Sequence, residues 1–143
     1  MPISGLRERL VTVCLEWQAR FGVAPSITSA ISELDATRLV GMPEEDYAAY
    51  MQNKTAVAKG SDFVWQSVSY QVKANRPSGK RGSRVTLVPK AHNYDWHKLI
   101  WILYDTQYVL QEAWLWEKET YRTAFDAIER LSPDHYRQGS RLA

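Results

Sequence analysis

The sequence predicts an α/β chain of the α+β kind: a small mixed β-sheet flanked by helices, with N-terminal helices preceding a central hairpin. Three observations predict it. Apolar residues recur at three- and four-residue spacing through residues 4–41 and again through 116–131. Between these stretches lie two runs rich in Phe, Val, Trp and Tyr, at 61–66 and 68–74. The run "KLIWILYD" at 98–105 is almost continuously apolar and of strand length, the mark of a buried central strand. Helices, then strands, then a helix imply a sheet covered by helices.

Each element has its own warrant. Leu6, Leu10, Val13, Cys14, Trp17 and Phe21 define an apolar helical stripe over 4–21, closed by Gly22. Pro25 and Ser26 start a second helix, with Ser26 or Thr28 as N-cap, Ile27, Ile31 and Leu34 on one face, and Gly41 at its end. "MPEEDYAAYMQNK" reads as a third helix, with Pro43 in its first position and Glu44, Glu45 and Asp46 at the positive end of its dipole. The two aromatic runs form a hairpin across a polar break near 66–69, without an Asn-Gly turn. Residues 75–83 are a basic Pro/Gly/Ser loop, and "RVTLVP" is a short strand ended by Pro89. After 98–105, "YVLQEAW" returns past a tight turn at Asp105–Gln107. "WEKETYRTAFDAIERL" predicts a helix, and "SPDHYRQG" a last turn capped by Ser132 with Pro133 in first position. The expected organisation is one domain over 1–143: 1–59 mainly helical, 60–115 the sheet core, 116–143 C-terminal helices.

Composition narrows the class. At 143 residues with 45% hydrophobic content the chain can build a core without staples. Its one cysteine, Cys14, allows no internal disulfide and sits in an apolar helical pattern, so it reads as a core thiol. No apolar run of signal-peptide or membrane-spanning length opens the chain, which predicts a cytoplasmic protein with no membrane partner. The net charge of +2 hides a segregation: no acid lies between Phe63 and Tyr94, where Lys73, Arg76, Lys80, Arg81, Arg84 and Lys90 give +6, against −4 elsewhere. A field gathered in this way attracts polyanions.

Strand alternation places Gln71 and Lys73 on one face and Val68, Tyr70 and Val72 on the other. Asp62, across the hairpin, comes close to Gln71. A lysine amid strand apolars needs a partner or water. Asp62 and Gln71 carry the hard oxygen donors that magnesium or manganese takes, and Lys73 suits a phosphate or an attacking water. An ion pair between Asp62 and Lys73 is the structural alternative.

The stretch "KGSDFVW…YQVKA" resembles the core of the PD-(D/E)XK nuclease superfamily, of restriction-endonuclease-like fold, in its Gln-x-Lys form. The resemblance covers roughly residues 27–115. It implies a helix before a hairpin that bears an acid and an acid-x-lysine motif, with a further helix and strand completing a four-stranded mixed core. It further implies a divalent-metal-dependent endonuclease acting on DNA phosphodiesters. Asp62 and Gln71 would be metal ligands to Mg2+ or Mn2+, and Lys73 would serve the attacking water and the scissile phosphate. Glu33, on the preceding helix, would be a further catalytic acid, ahead of Glu44 and Glu45. Two positions depart from the family pattern: Ser61 replaces its proline, and the amide of Gln71 replaces its second acid.

The basic loop after this stretch would track a phosphate backbone through Arg76, Lys80, Arg81, Arg84 and Lys90. In "HNYDWHK", Tyr94 and Trp96 are candidates for base stacking, though a turn with buried aromatics fits better, and His92, Asp95 and His97 match no zinc spacing. Trp101, Trp114 and Trp116 belong to the core. The neutral amide at 71 also supports an alternative, a non-catalytic nucleic-acid-binding module of the same fold. A third reading is an interaction protein whose basic loop meets an acidic partner. A chain of this length has little room for a separate recognition domain, so specific cleavage would call for a homodimer or a partner subunit.

Overall fold

A computed structural model describes residues 3–54 and 60–143, with side chains from residue 5 onward. The expected helical span 1–59 therefore has its ends, 1–2 and 55–59, outside the described residues. Three helices come first: α1 (Ile3–Phe21), α2 (Thr28–Leu39) and α3 (Glu44–Asn53). The hairpin β1 (Phe63–Trp65) and β2 (Val68–Asn75) comes next, then β3 (Lys98–Tyr104), β4 (Leu110–Glu117), α4 (Lys118–Phe125), α5 (Pro133–Tyr136) and β5 (Ser140–Arg141).

The strands form one open mixed sheet in the order β1-β2-β3-β4-β5. Only the β2–β3 pair is parallel, with Gln71 opposite Leu99 and Lys73 opposite Trp101. A parallel neighbour needs a long crossover, and residues 76–97 supply it without a helix. Central β3 is buried on both faces. Ile100 and Ile102 join Tyr70, Val72 and Ala113 beneath α1–α3, while Leu99, Trp101 and Trp116 face Trp96, Tyr121, Phe125 and Tyr136. The sheet thus separates an aliphatic-rich core from an aromatic one, which accounts for the high tryptophan and tyrosine content.

The hairpin turns at Gln66 and Ser67, both at positive φ (50° and 64°), joining Trp65 to Val68. Two left-handed residues are what a tight two-residue hairpin requires, here met without glycine. Gly22 and Gly41 end α1 and α2 at φ +84° and +82°. Ser132 caps α5 in a capping box with His135, and Pro133 takes the first turn, as expected.

Several expectations need correction. "RVTLVP" is not a strand; its sole pairing is a bridge in which Val88 N donates to Leu131 O at 3.0 Å. Val85 and Val88 of the segment pack on the aromatic core, while Leu87 is exposed. The helix expected over 116–131 covers only 118–125, since Trp116 and Glu117 pair with Leu99 and Lys98 in the sheet. The last strand, β5, lies within the span expected to be helical. α2 starts at Thr28 with Ile27 as N-cap, and neither Ser26 nor Thr28 caps it; the Thr28 hydroxyl instead bonds Tyr108 Oη at 2.8 Å. Trp96 is wholly buried and cannot stack on a base. Trp114 is half-buried, with Arg141 over its ring, whereas Trp101 and Trp116 are core residues, as is Cys14. Most consequential, the periodic stripe of α1 is turned outward at every member but Cys14, which faces the body of the protein with Arg7 and Val11.

Arg7 is buried because Asp35 receives it: Nε and Nη2 each donate to that carboxylate at 2.8 Å. Tyr104 Oη donates to the same group at 2.5 Å, and Arg7 Nη2 also reaches Tyr108 O at 3.0 Å. This network ties α1, α2, β3 and the β3–β4 turn together, and so fixes α2 against the sheet.

Candidate active site

β1 pairs with β2 only as far as Tyr70, so residues 71–75 run on along an open sheet edge. Asp62 closes the near end of that edge. Its N–H donates to Tyr70 O at 2.7 Å, and its Oδ2 accepts from Val72 N at 2.7 Å and from Gln71 Nε2 at 3.2 Å. The first turns of α2 pass alongside. Between them lies a cavity of about 330 Å3 lined by Glu33, Asp62, Gln71 and Lys73, with Thr28, Ser29 and Ser32 adding hydroxyls. All four side chains expected to carry chemistry therefore meet on one cavity, and all are half-buried.

Their electrostatics follow from this placement. Burial, reinforced by the Asp62 charge and opposed by Lys54 and a hydrogen bond from Tyr47 Oη, pushes Glu33 up to about 7. Burial likewise raises Asp62, against the Val72 N–H and the charges of Lys54 and Lys73. Lys73 makes no hydrogen bond or ion pair among the described residues; only its field reaches Asp62. The alternative of an Asp62–Lys73 ion pair is thus not what forms. Asp62 Oδ1 and Gln71 Oε1 likewise have no hydrogen-bond partner among the described residues.

The donor set suits a hard cation. Magnesium is held by one or two carboxylates with waters completing its shell, and a carboxyl such as Glu33, raised in part by the charge of Asp62, gains when a cation sits between the two. Among the described residues no group of three or more His, Cys, Asp or Glu side chains forms, so the site is two carboxylates and an amide.

Two contributors escaped the sequence. Lys54, just past α3, donates from Nζ to Asp62 O at 3.3 Å and lowers both carboxylates, and Tyr47 Oη donates to Glu33 at 3.4 Å. Neither has a motif, although Lys54 stands only eight residues before Asp62. Gly60, two residues before Asp62 in "KGSDFVW", has a steric reason: at φ +81°, a Cβ there would lie 2.8 Å from Asp95 Oδ2 and closer still to Asp95 Cβ. Glu44 and Glu45 lie elsewhere; Glu44 pairs with Arg38 at 2.6 Å.

The basic window divides in two. Arg76 donates to Thr106 O at 2.6 and 3.0 Å and to Gln18 Oε1 at 2.8 Å, and lies over the Tyr108 ring. Lys90 Nζ donates to Asp126 O and Ile128 O, both at 2.9 Å. These two cations hold the fold. Lys80, Arg81 and Arg84 are exposed, and their side chains make no hydrogen bond or ion pair among the described residues. His97 Nδ1 accepts from Ser69 N at 2.9 Å, so its ring serves the sheet end. Compared with known proteins, the chain matches no family model and no curated sequence. No helix among the described residues is long and apolar enough to cross a membrane.

Proposed function

We propose that the chain is a divalent-metal-dependent endonuclease acting on DNA, with a core of the restriction-endonuclease-like, PD-(D/E)XK kind. The observation that carries the reading is the convergence of Glu33, Asp62, Gln71 and Lys73 on one solvent-reachable cavity at a sheet edge. A helix before a hairpin, and a parallel third strand beside it, agree with such a core; the helix-free crossover 76–97 departs from it.

In this reading Asp62 and Gln71 present their free oxygens to Mg2+ or Mn2+, and Glu33 adds a third donor once it loses its proton. The bound ion supplies Lewis-acid polarisation of a phosphodiester oxygen. The Lys73 ammonium neutralises charge on the phosphate and holds the attacking water by a hydrogen bond. Lys54 opposes the burial that raises Asp62. Lys80, Arg81 and Arg84 bind the flanking phosphates. Supercoiled plasmid with magnesium or manganese tests the reading: the wild type nicks it, and Lys73→Ala and Asp62→Ala lose about a hundredfold or more in rate. An inactive wild type with a correctly folded chain refutes it.

One observation favours a second reading, a nucleic-acid-binding module without catalysis. Gln71 gives its amide to Asp62 and brings no charge to the cavity. Salt-dependent duplex binding, lost in a Lys80/Arg81/Arg84 triple alanine variant, together with no cleavage under any divalent cation, would establish it.

A further inference from the structure

Helix α1 carries an apolar side that its own fold leaves bare. Leu6, Leu10, Val13, Trp17 and Phe21 are 56%, 39%, 56%, 50% and 58% exposed. Their spacing sets them on one stripe, about 90° round the helix from Arg7, Val11 and Cys14. At its N-terminal end the stripe borders an apolar groove of about 580 Å3 between α1, α2 and α3, walled by Leu6, Leu10, Ile31, Leu34, Tyr47 and Met51.

We propose that this face is a homodimer interface, in which α1 packs antiparallel on α1 of a second copy across a two-fold axis between Leu10 and Val13. Three features select a second copy of this chain as the occupant. The patch is self-complementary: large rings, Trp17 and Phe21, stand at one end and the groove lies at the other. A two-fold axis lays Trp17 of each copy over Leu6 and the groove of its mate, and Leu10 against Val13. Charge sets the direction. Arg9 and Glu16 lie on the exposed flank of the stripe. Antiparallel packing brings Arg9 of one copy beside Glu16 of the other, twice, while parallel packing aligns like with like. Area agrees as well. With Val23 and Met51, 65% and 40% exposed, the patch holds seven large apolar side chains. That is on the order of 600–700 Å2, above the roughly 300–600 Å2 of an ordinary monomer's largest patch and near the ~800 Å2 per partner of a standard interface. Gln18 on the same helix holds Ser78 O at 2.7 Å and Arg76 at 2.8 Å, so pairing of the helices also pairs the two basic loops.

The test is sedimentation equilibrium of the full chain between roughly 1 and 100 μM, the range in which a standard interface of moderate affinity assembles. The wild type sediments as a dimer. Leu10→Glu and Val13→Lys each weaken it by about a hundredfold or more, because each puts two unpaired charges into the seam. Both positions are exposed in the single chain, so circular dichroism and melting stay near wild type. An equimolar mixture of L10E and V13K chains regains the dimer: antiparallel packing opposes the introduced carboxylate to the introduced ammonium and leaves the other layer apolar. A monomeric wild type at about 100 μM, folded variants that remain dimeric, or a mixture that stays monomeric would each overturn the proposal.

Discussion

Replacing Asp35 with alanine removes the group on which three elements converge. The carboxylate accepts two bonds from Arg7 and one from Tyr104 Oη, and Arg38 approaches to 3.6 Å. Arg7 and Asp35 are 9% and 6% exposed, so little water is available to replace the lost partner. Arg7 would retain the Tyr108 carbonyl and the exposed Glu8. Breaking a buried pair from one side costs about 3–5 kcal/mol, and an unsatisfied hydroxyl about 1–3 kcal/mol; because both penalties arise at one carboxylate they do not add in full. We expect a loss of about 4 kcal/mol, a large share of the roughly 5–15 kcal/mol total of a domain. Urea unfolding measures it, with an unchanged m value confirming that both end states are comparable. Removing the other partner as well should recover much of the loss: Arg7→Met with Asp35→Leu leaves no buried charge. If Asp35→Ala costs under about 1 kcal/mol, or the double variant loses the sum of the single losses, the network does not hold α2 in place.

The site and the turns yield further expected outcomes. Glu33 binds its proton more tightly in the folded chain, at about 7, than its ordinary 4.5; stability from this group is complete below 4.5 and is lost as pH rises through 7, and Glu33→Gln should flatten that fall in a series of melting curves. For the same reason manganese affinity, followed calorimetrically, should rise with pH through neutrality in the wild type and less steeply in that variant. Gly60→Ala places a Cβ 2.8 Å from Asp95 Oδ2, and nearer still to Asp95 Cβ, at a positive φ; it should lower the melting point by an amount equivalent to about 1–3 kcal/mol. Gln66→Asn with Ser67→Gly fits the left-handed turn at φ 50° and 64°, and should raise chemical stability by roughly 1 kcal/mol.

The strands were readable because apolar alternation and length act locally: β3 lies within the run 98–105, and β2 within a residue of 68–74. What failed depended on distant partners. "RVTLVP" has strand composition, yet its neighbours in space offer only Leu131 for pairing. Trp116 and Glu117 share a helical spacing with residues 118–131, but their partners on β3 claim them for the sheet. The cluster at 62, 71 and 73 could be found because a two-residue turn and period-two alternation relate those positions directly. Glu33 was reachable only through the resemblance, and Lys54 through neither route, because α2 and α3 meet the sheet edge by tertiary packing. The basic window shows the same boundary. Formal charge is a property of sequence, but whether a guanidinium faces solvent or a carbonyl is not, and Arg76 and Lys90 spend their donors on Thr106, Asp126 and Ile128.

The α1 stripe links the fold to the proposed dimer. A helix whose apolar residues were selected for one core would bury its most periodic face, yet α1 buries an arginine and a thiol and leaves two aromatic rings and three aliphatic side chains in water. Arg7 on the inward face requires Asp35, which stands two residues from Glu33 on α2, so the pair that seats α1 also sets the helix bearing a cavity carboxylate. A short covalent and hydrogen-bonded chain, from Arg7 through Asp35 to Glu33, thus joins α1 to the cavity wall. A charge at position 13, which lies outside the cavity lining, should break the proposed dimer while leaving the pH dependence set by Glu33 unchanged, because the Arg7–Asp35 pair stays intact within each copy.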